Sequence, residues 1–428
     1  MSELWAEVAE DERVDYFKHL DNAHAQELFM MLDASERASL LLGMDQHDRR
    51  LWMRLLDPDD AADVIQEVPA DERNDLINLL DHTFKNHLNA LLAYAEDVAG
   101  GLMSPRYVRV RPDMRVAEAV RYVHKQALDN VETMYYVYVL GQEQELLGML
   151  SFRELFTSAP GELISLIMNT DLITSKENMD QEELGRLFAQ HDLLAIPVVD
   201  DSNHMKGIVT IDDIVDVVEE EATEDIQKLG GVEALDAPYF QLTLFEMVKK
   251  RAGWLTILFI GELLTASAMQ YYQDEIAKAV VLALFLPLII SSGGNAGSQA
   301  STLVIRAMAL GEVRPRDWWR ILKREVVIGF LLGIILSCIG FLRVILWQQA
   351  FQTFGPHYLL IGFTVFLSLI GVVLWGTISG ALLPMILRRL GFDPATASTP
   401  FVATMVDVTG LVIYFNIALV VLHGTLLK

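Results

Sequence analysis

The sequence predicts a multidomain membrane protein: an all-α superhelical N-terminal domain, a tandem α/β pair, an acidic connecting helix and a five-helix transmembrane domain. Three observations predict it. A twelve-residue period runs through 21–92, two similar strand-and-helix units follow from about Gly101, and five apolar runs come after Arg251. Charge divides at the same place. Before Arg251 the chain carries 50 Asp and Glu against 21 Lys and Arg, a net of -29; from Arg251 on it carries 8 against 12, a net of +4, and the chain as a whole is at -25. Phosphate backbones are bound by clustered Lys and Arg, so nucleic acid is excluded as a partner of the acidic half, and small cations fit it. The start of the chain, "MSELWAEVAEDERVD", is acidic and has no apolar core, so no signal peptide is expected there. The one cysteine, Cys338, lies in an apolar run and rules out an intrachain disulfide.

The N-terminal period reads "DNAHAQELFMML", "DASERASLLLGM", "DQHDRRLWMRLL", "DPDDAADVIQEV", "PADERNDLINLL" and "DHTFKNHLNALL". Asp opens every unit but the one at Pro69, and apolar residues mark the eighth, ninth and twelfth places. Asp is a good N-cap and Pro suits a first turn, so each unit reads as a short capped helix with one apolar stripe. Stacked, they make a scaffold. The exception is "DPDDAAD", where Asp57, Asp59, Asp60 and Asp63 crowd one helix start, partly through capping and the helix dipole.

From about Gly101 a short strand, an amphipathic helix, a β-branched run, a polar turn and a second strand occur twice, ending in "GMLSFREL" and "GIVTIDDI". The pairing resembles a tandem cystathionine-β-synthase (CBS) module, a fold that often binds adenine nucleotides. In that family a Thr or Ser followed closely by Asp holds a ribose; Thr210 and Asp213 fit, while Ser151 and Glu154 depart at the acidic place. ATP is therefore a candidate ligand, although many such modules bind none and Asp213 has a rival use. That use lies in "DDIVDVVEEEATED", eight carboxylates between Asp212 and Asp225 with no Lys or Arg. On a helix Asp213, Asp216, Glu220 and Glu224 share a face and repel one another. A solvated acidic helix accounts for such a run; its place between the paired modules and the membrane, and the affinity of clustered oxygens for Mg²⁺ or Ca²⁺, point instead to cation binding.

About 20 apolar residues cross the hydrocarbon core, which gives spans near 252–271, 277–305, 325–347, 358–386 and 401–426. Lys249, Lys250 and Arg251, the Arg306 to Arg324 connection, and Arg388 with Arg389 place the N-terminal half in the cytoplasm and the C-terminus outside. Five spans make an asymmetric bundle that favours a homodimer enclosing a path. In the second span, "GGNAGSQ" offers close helix approach or local unwinding, and Pro287 is expected to bend it. In the fifth, Asp407 costs roughly 3 kcal/mol if it faces lipid, so it faces a cavity or the dimer axis. Glu262 in the first span reads as a packed or protonated carboxyl.

Together "GGNAGSQ", "DPATASTPFVATMVDVTG", the acidic repeats, the paired modules and the acidic helix resemble the bacterial MgtE family of magnesium channels or transporters, over essentially the whole chain. The resemblance implies an inner-membrane homodimer with the pore on its two-fold axis and a cytosolic assembly that closes when Mg²⁺ is high. It assigns Asp407 and Asp393 to pore metal binding, with Asn295, Gly294, Gly297, Thr404 and Pro287 lining or shaping the pore. It assigns Asp213, Asp216, Glu221, Glu224, Asp225, Asp192 and Asp180, facing Asp59 and Asp63, to regulatory Mg²⁺. The expected domains are 1–98 (helical repeats), 99–159 and 160–221 (the CBS pair), 222–250 (a connecting plug helix) and 251–428 (membrane). The alternatives are an ion-coupled carrier of Co²⁺, Mn²⁺ or Ni²⁺, with Glu262 as its coupling residue, and a CBS-regulated anion channel, against which an acidic pore residue argues. No nucleophile–base set, P-loop or HExxH supports an enzyme.

Overall fold

Aspartate starts the short helices of the N-terminal repeat. The computed structural model describes residues 5, 8, 10–127, 131–235, 239 and 242–426, and the six units become the helices Asn22–Met31, Ala34–Leu42, Gln46–Met53, Pro58–Glu67, Ala70–Asn78 and His82–Leu91. Asp21, Asp33, Asp45 and Asp81 accept hydrogen bonds from amides of the first turn, satisfying donors the helix cannot pair internally. Asp57 stands at the same place but makes no capping bond. The apolar places of the repeat supply the core: Leu28, Phe29, Leu41, Met53, Ile65, Leu76 and Leu88 are all buried. A further regularity sits at the fifth place of three units. Arg37 donates to the carbonyl oxygens of Phe29 and Met30 at 3.0 and 2.8 Å, Arg49 to those of Leu42 and Met44, and Arg73 to those of Gln66 and Val68. Each arginine hooks onto carbonyls left open at the end of the preceding helix.

Among the described residues the paired α/β modules each carry three strands. In the first, β1 (Arg109–Val110) runs parallel to β2 (Tyr136–Leu140), which pairs antiparallel with β3 (Leu146–Ser151); in the second, β4 (Ser175–Lys176), β5 (Ala195–Val199) and β6 (Met205–Thr210) repeat that order. The helices Val116–Gln126 and Gln181–His191 follow the first strand of each. The second module shares a core with the helical repeats, through Phe188, Ile196, Val209 and Ile214. All of this lies in one compact unit, Met1–Glu221; the second is Ala222–Lys428.

The single connecting helix expected over 222–250 is two pieces. One helix begins at Ile211, directly after β6, and ends at Leu229, where Gly230 and a left-handed Gly231 break it. Residues 244–250 belong instead to the first membrane helix, Leu244–Tyr271, capped by Thr243 with Glu246; residues 236–238, 240 and 241 lie outside the described ones.

Among the described residues, five helices are long and apolar enough to cross a membrane: Leu244–Tyr271, Val280–Ala309, Pro315–Phe351, Tyr358–Arg389 and Thr399–Leu422. The second opens with a 3-10 turn, Val280–Phe285, and is α-helical from Leu286 to Ala309. Pro287 is therefore in the first α-helical turn, where its missing N–H costs nothing, and it starts the helix rather than bending it. Nor does "GGNAGSQ" unwind. Its glycines let the second helix lie backbone to backbone on the fourth: a Cβ on Gly376 would strike the carbonyl oxygen of Gly293, and one on Gly380 would strike that of Gly297.

Candidate ion path and carboxylate cluster

Two serines hold the second membrane helix against the start of the fifth. Ser298 Oγ donates to the carbonyl oxygen of Thr399 and Ser301 Oγ to that of Ala397, both at 3.1 Å. Further along, a Cβ on Gly294 would meet the Ala403 side chain at 3.4 Å and Asp407 Oδ1 at 3.8 Å. The missing side chain thus brings backbone up to a half-buried carboxyl in an apolar helix. Asn295 is exposed beside it, its Nδ2 3.4 Å from Ser291 Oγ, and Ser291, Asn295 and Gln299, four residues apart, form an uncovered polar stripe. These residues answer the oddity of the motif: its small face packs on protein, and its polar face stays open. Gly297 belongs to the packed side, since a Cβ there would lie 2.9 Å from the Gly376 carbonyl oxygen, so it shapes the bundle and lines no open surface. Thr404 packs on Gly261 of the first membrane helix. On that same helix Glu262 is the carboxyl that neighbours Asp407, a pairing that no local pattern announced.

At the end of the acidic helix, Lys228 Nζ lies 2.6 Å from Glu224 Oε1 and 2.7 Å from Asp393 Oδ2. Burial opposes its charge, but the hydrogen bonds to Asp393 and Glu224 prevail and hold the ammonium above its ordinary pKa. Asp393 also accepts from the Ala395 amide at 2.8 Å. The position expected to hold a free cation therefore already carries one supplied by the chain. Local pattern does not mark Lys228 as a site residue, because its partner Asp393 lies 165 positions further along the chain.

The first unit gathers a second group. Asp59 is 7% exposed, and its Oδ1 has no hydrogen-bond partner. Burial, then Glu132 and Asp213, push its carboxyl well above the usual range. Burial likewise pushes Asp213 up to about 7, with Asp212 and Asp60 adding to it against the bonds from Thr210. Glu132, pushed to about 7 by burial and Asp57, accepts from Ser104 Oγ at 2.9 Å. Asp63 faces Asp60 and Asp213, and Asp216 faces Asp212 and Asp60. The positive charges that answer them are Arg37, 2.8 Å from Asp60, and Arg106, paired with Asp57. The pair to Arg106 is why Asp57 does not cap its helix. Hard oxygen donors in this density, one of them unsatisfied, suit a small dication.

Of the other expected ligands, Asp180 is spent as the N-cap of Gln181–His191, and Asp192 ends that helix in a left-handed conformation with its side chain exposed. Glu221 accepts from Gln181 Nε2 at 2.6 Å, and Asp225 follows it on the same helix. Thr210 and Asp213 are spent on each other, Thr210 Oγ1 donating to Asp213 Oδ2 at 2.7 Å, with Thr210 only 2% exposed. Glu132 was missed because it sits in a non-periodic loop between Gln126 and β2.

Comparison with known proteins follows the same division. Residues 286–417 match the family model described as MgtE, divalent cation transporter; 1–97 match the MgtE intracellular N domain; and 95–161 and 163–220 match the CBS domain. The chain is 39% identical over 426 residues to the magnesium transporter MgtE of Thermus thermophilus, covering 98% of this chain and 92% of that one. It is 31% identical to the protein of the same name in Bacillus subtilis, covering 99% and 92%. A solved cytosolic domain of the Mg²⁺ channel MgtE in complex with ATP aligns at 34% identity and a TM-score of 0.40, covering 50% of this chain and 92% of that one.

Proposed function

This chain belongs to the MgtE family of magnesium transporters, and from that premise we propose that it is a Mg²⁺-selective channel, a homodimer with its path on the two-fold axis, closed by cytosolic Mg²⁺. The observation that carries the transport reading is Asp407, a carboxyl inside an apolar membrane helix with the Gly294 backbone drawn up to it. Two such carboxyls, one from each copy, would hold a largely hydrated octahedral ion through its waters, as suits an ion that dehydrates reluctantly. The open stripe of Ser291, Asn295 and Gln299 would line the approach. The basic connections support a cytoplasmic N-terminus and an outside C-terminus in the inner membrane.

Feedback is supported by the carboxylate cluster. Without a cation the carboxylates around Asp59 and Asp213 repel, and the helical repeats and CBS pair separate. A bound Mg²⁺ stabilises the closed packing by its differential affinity and shifts the population toward it. ATP at the CBS pair is the further ligand of this reading, with Thr210 and Asp213 as its contacts once their mutual hydrogen bond opens.

The test is Mg²⁺ flux into proteoliposomes by wild type and Asp407→Ala, with Mg²⁺ on the cytoplasmic face varied. Flux that needs Asp407 and falls as that Mg²⁺ rises supports pore and feedback together; wild type without flux at any concentration overturns both. A proton-coupled carrier is the second reading, favoured by the contact between Glu262 and Asp407. Flux driven by a proton gradient in wild type and lost in Glu262→Gln would select it.

A further inference from the structure

The hairpins of the two CBS halves meet turn to turn. Gln144 in one turn and Asn203 in the other both take positive φ, 65° in each case. Leu146 N donates to the Asn203 carbonyl and Met205 N to the Gln144 carbonyl, both at 3.0 Å. Within each turn the pattern repeats again, with Gly141 N donating to the Glu145 carbonyl and Asp200 N to that of His204. Glu145 and His204 are therefore equivalent positions on a two-fold frame, and they form a bridge across it. The frame is symmetric, but the side chains on it are not.

One carboxylate oxygen each of Glu143 and Glu145 and one ring nitrogen of His204 lie within 4.8 Å of one another. Both glutamates are exposed and His204 is partly so. The imidazole is oriented: its Nδ1 is 3.1 Å from Asp200 Oδ2. Asp200 is fixed in turn by the backbone amides of Ser202 and His204, each at 2.9 Å, and by Lys206 Nζ at 3.2 Å. A carboxylate on one ring nitrogen selects the tautomer and leaves the other nitrogen as a ligand, the arrangement that commonly stands behind a metal-bound histidine. The neighbouring cations are engaged elsewhere, Lys206 on Asp200 and Arg109 on Gln144 Oε1 at 2.8 Å.

We propose that Glu143, Glu145 and His204 bind a transition-metal dication of the Co²⁺, Ni²⁺ or Zn²⁺ class, which staples the two CBS halves together at their hairpin turns. Ligands around such an ion sit about 2.0–2.2 Å from it, so modest rotation of two exposed glutamates closes the donors around one centre. Two carboxylates cancel its charge. The imidazole discriminates: nitrogen suits these metals, whereas Mg²⁺ takes oxygen and keeps its waters. The site shares no residue with the Asp59–Asp213 cluster, and the inference stands independently of the transport reading.

The experiment is a Co²⁺ titration of the full-length protein in detergent with excess Mg²⁺ present, following the visible absorption of the bound ion, in wild type, His204→Ala and Glu145→Gln. The expected result is a Co²⁺ signal that Mg²⁺ does not displace and whose affinity falls at least tenfold in each variant. In parallel, Co²⁺ slows hydrogen exchange at the Leu146 and Met205 amides of wild type, and this protection is lost in His204→Ala. Wild-type Co²⁺ binding that equals that of both variants, or that is displaced by Mg²⁺ at comparable concentration, overturns the site.

Discussion

Neutralising Asp59 should strengthen the metal-free packing of the repeats on the CBS pair and abolish its response to Mg²⁺. The magnitude follows from Asp213, whose carboxyl moves from 3.8 to about 7 on folding; at about 1.4 kcal/mol per pH unit this is roughly 4 kcal/mol. The sign is that of an acid raised by folding. The penalty is absent below the ordinary carboxylate range near pH 4, grows as pH rises, and is complete above about pH 7. Most of that cost is burial of the charge, and Asp59 meets the same penalty, from burial first and then from Glu132 and Asp213; removing one buried carboxylate with an unsatisfied oxygen should recover about 2 kcal/mol. Asp59→Asn keeps the shape and removes the charge. In chelator at about pH 8, hydrogen exchange of the Pro58–Glu67 helix in the full-length protein should slow by roughly 30-fold, with little change near pH 5. Saturating Mg²⁺ should slow exchange strongly in wild type and hardly further in the variant. Exchange in chelator that is faster in Asp59→Asn than in wild type, or independent of pH in wild type, would refute the electrostatic account.

Other outcomes follow from single contacts. Lys228→Met removes the ammonium between Glu224 and Asp393; a divalent ion then meets no resident competitor, and half-inhibition of flux should move to about tenfold lower cytoplasmic Mg²⁺. Gly376→Ala drives a Cβ onto the Gly293 carbonyl, and backbone cannot yield as a side chain does; a loss of about 3 kcal/mol should appear as a lower melting temperature in detergent, greater than that of Gly253→Ala, which meets nothing. Arg73→Ala frees two carbonyls at the end of the Pro58–Glu67 helix and should cost about 1–3 kcal/mol in thermal unfolding, whereas Arg50→Ala on an exposed surface should cost little.

The two carboxylate groups differ in how the chain's own cations answer them. Arg37 and Arg106 neutralise the edge of the buried cluster and leave Asp59 unanswered, while Lys228 fully occupies the pair at the end of the acidic helix. A divalent ion therefore has most to gain at the cluster and must displace an ammonium at the other position.

What the sequence alone determined is everything with a short period. Twelve-residue spacing gave capped helices because an N-cap and its stripe lie within a few residues of each other. Alternation of strand and helix twice over gave the CBS pair, and apolar length gave five spans. The family was legible too, since "GGNAGSQ" and "VDVTG" are contiguous. Tertiary structure decided the partners of each charge. It brought Glu132 from a loop to Asp59 and Asp213, turned Asp57 from a cap into a partner of Arg106, and set Glu262 against Asp407. It also placed Gly297 in a helix contact rather than on an open face, and put a lysine where a free ion was expected. None of these could be read along the chain. Local pattern shows which face of an element is buried, whereas the energy of a carboxylate depends on what other elements bring within a few ångströms of it.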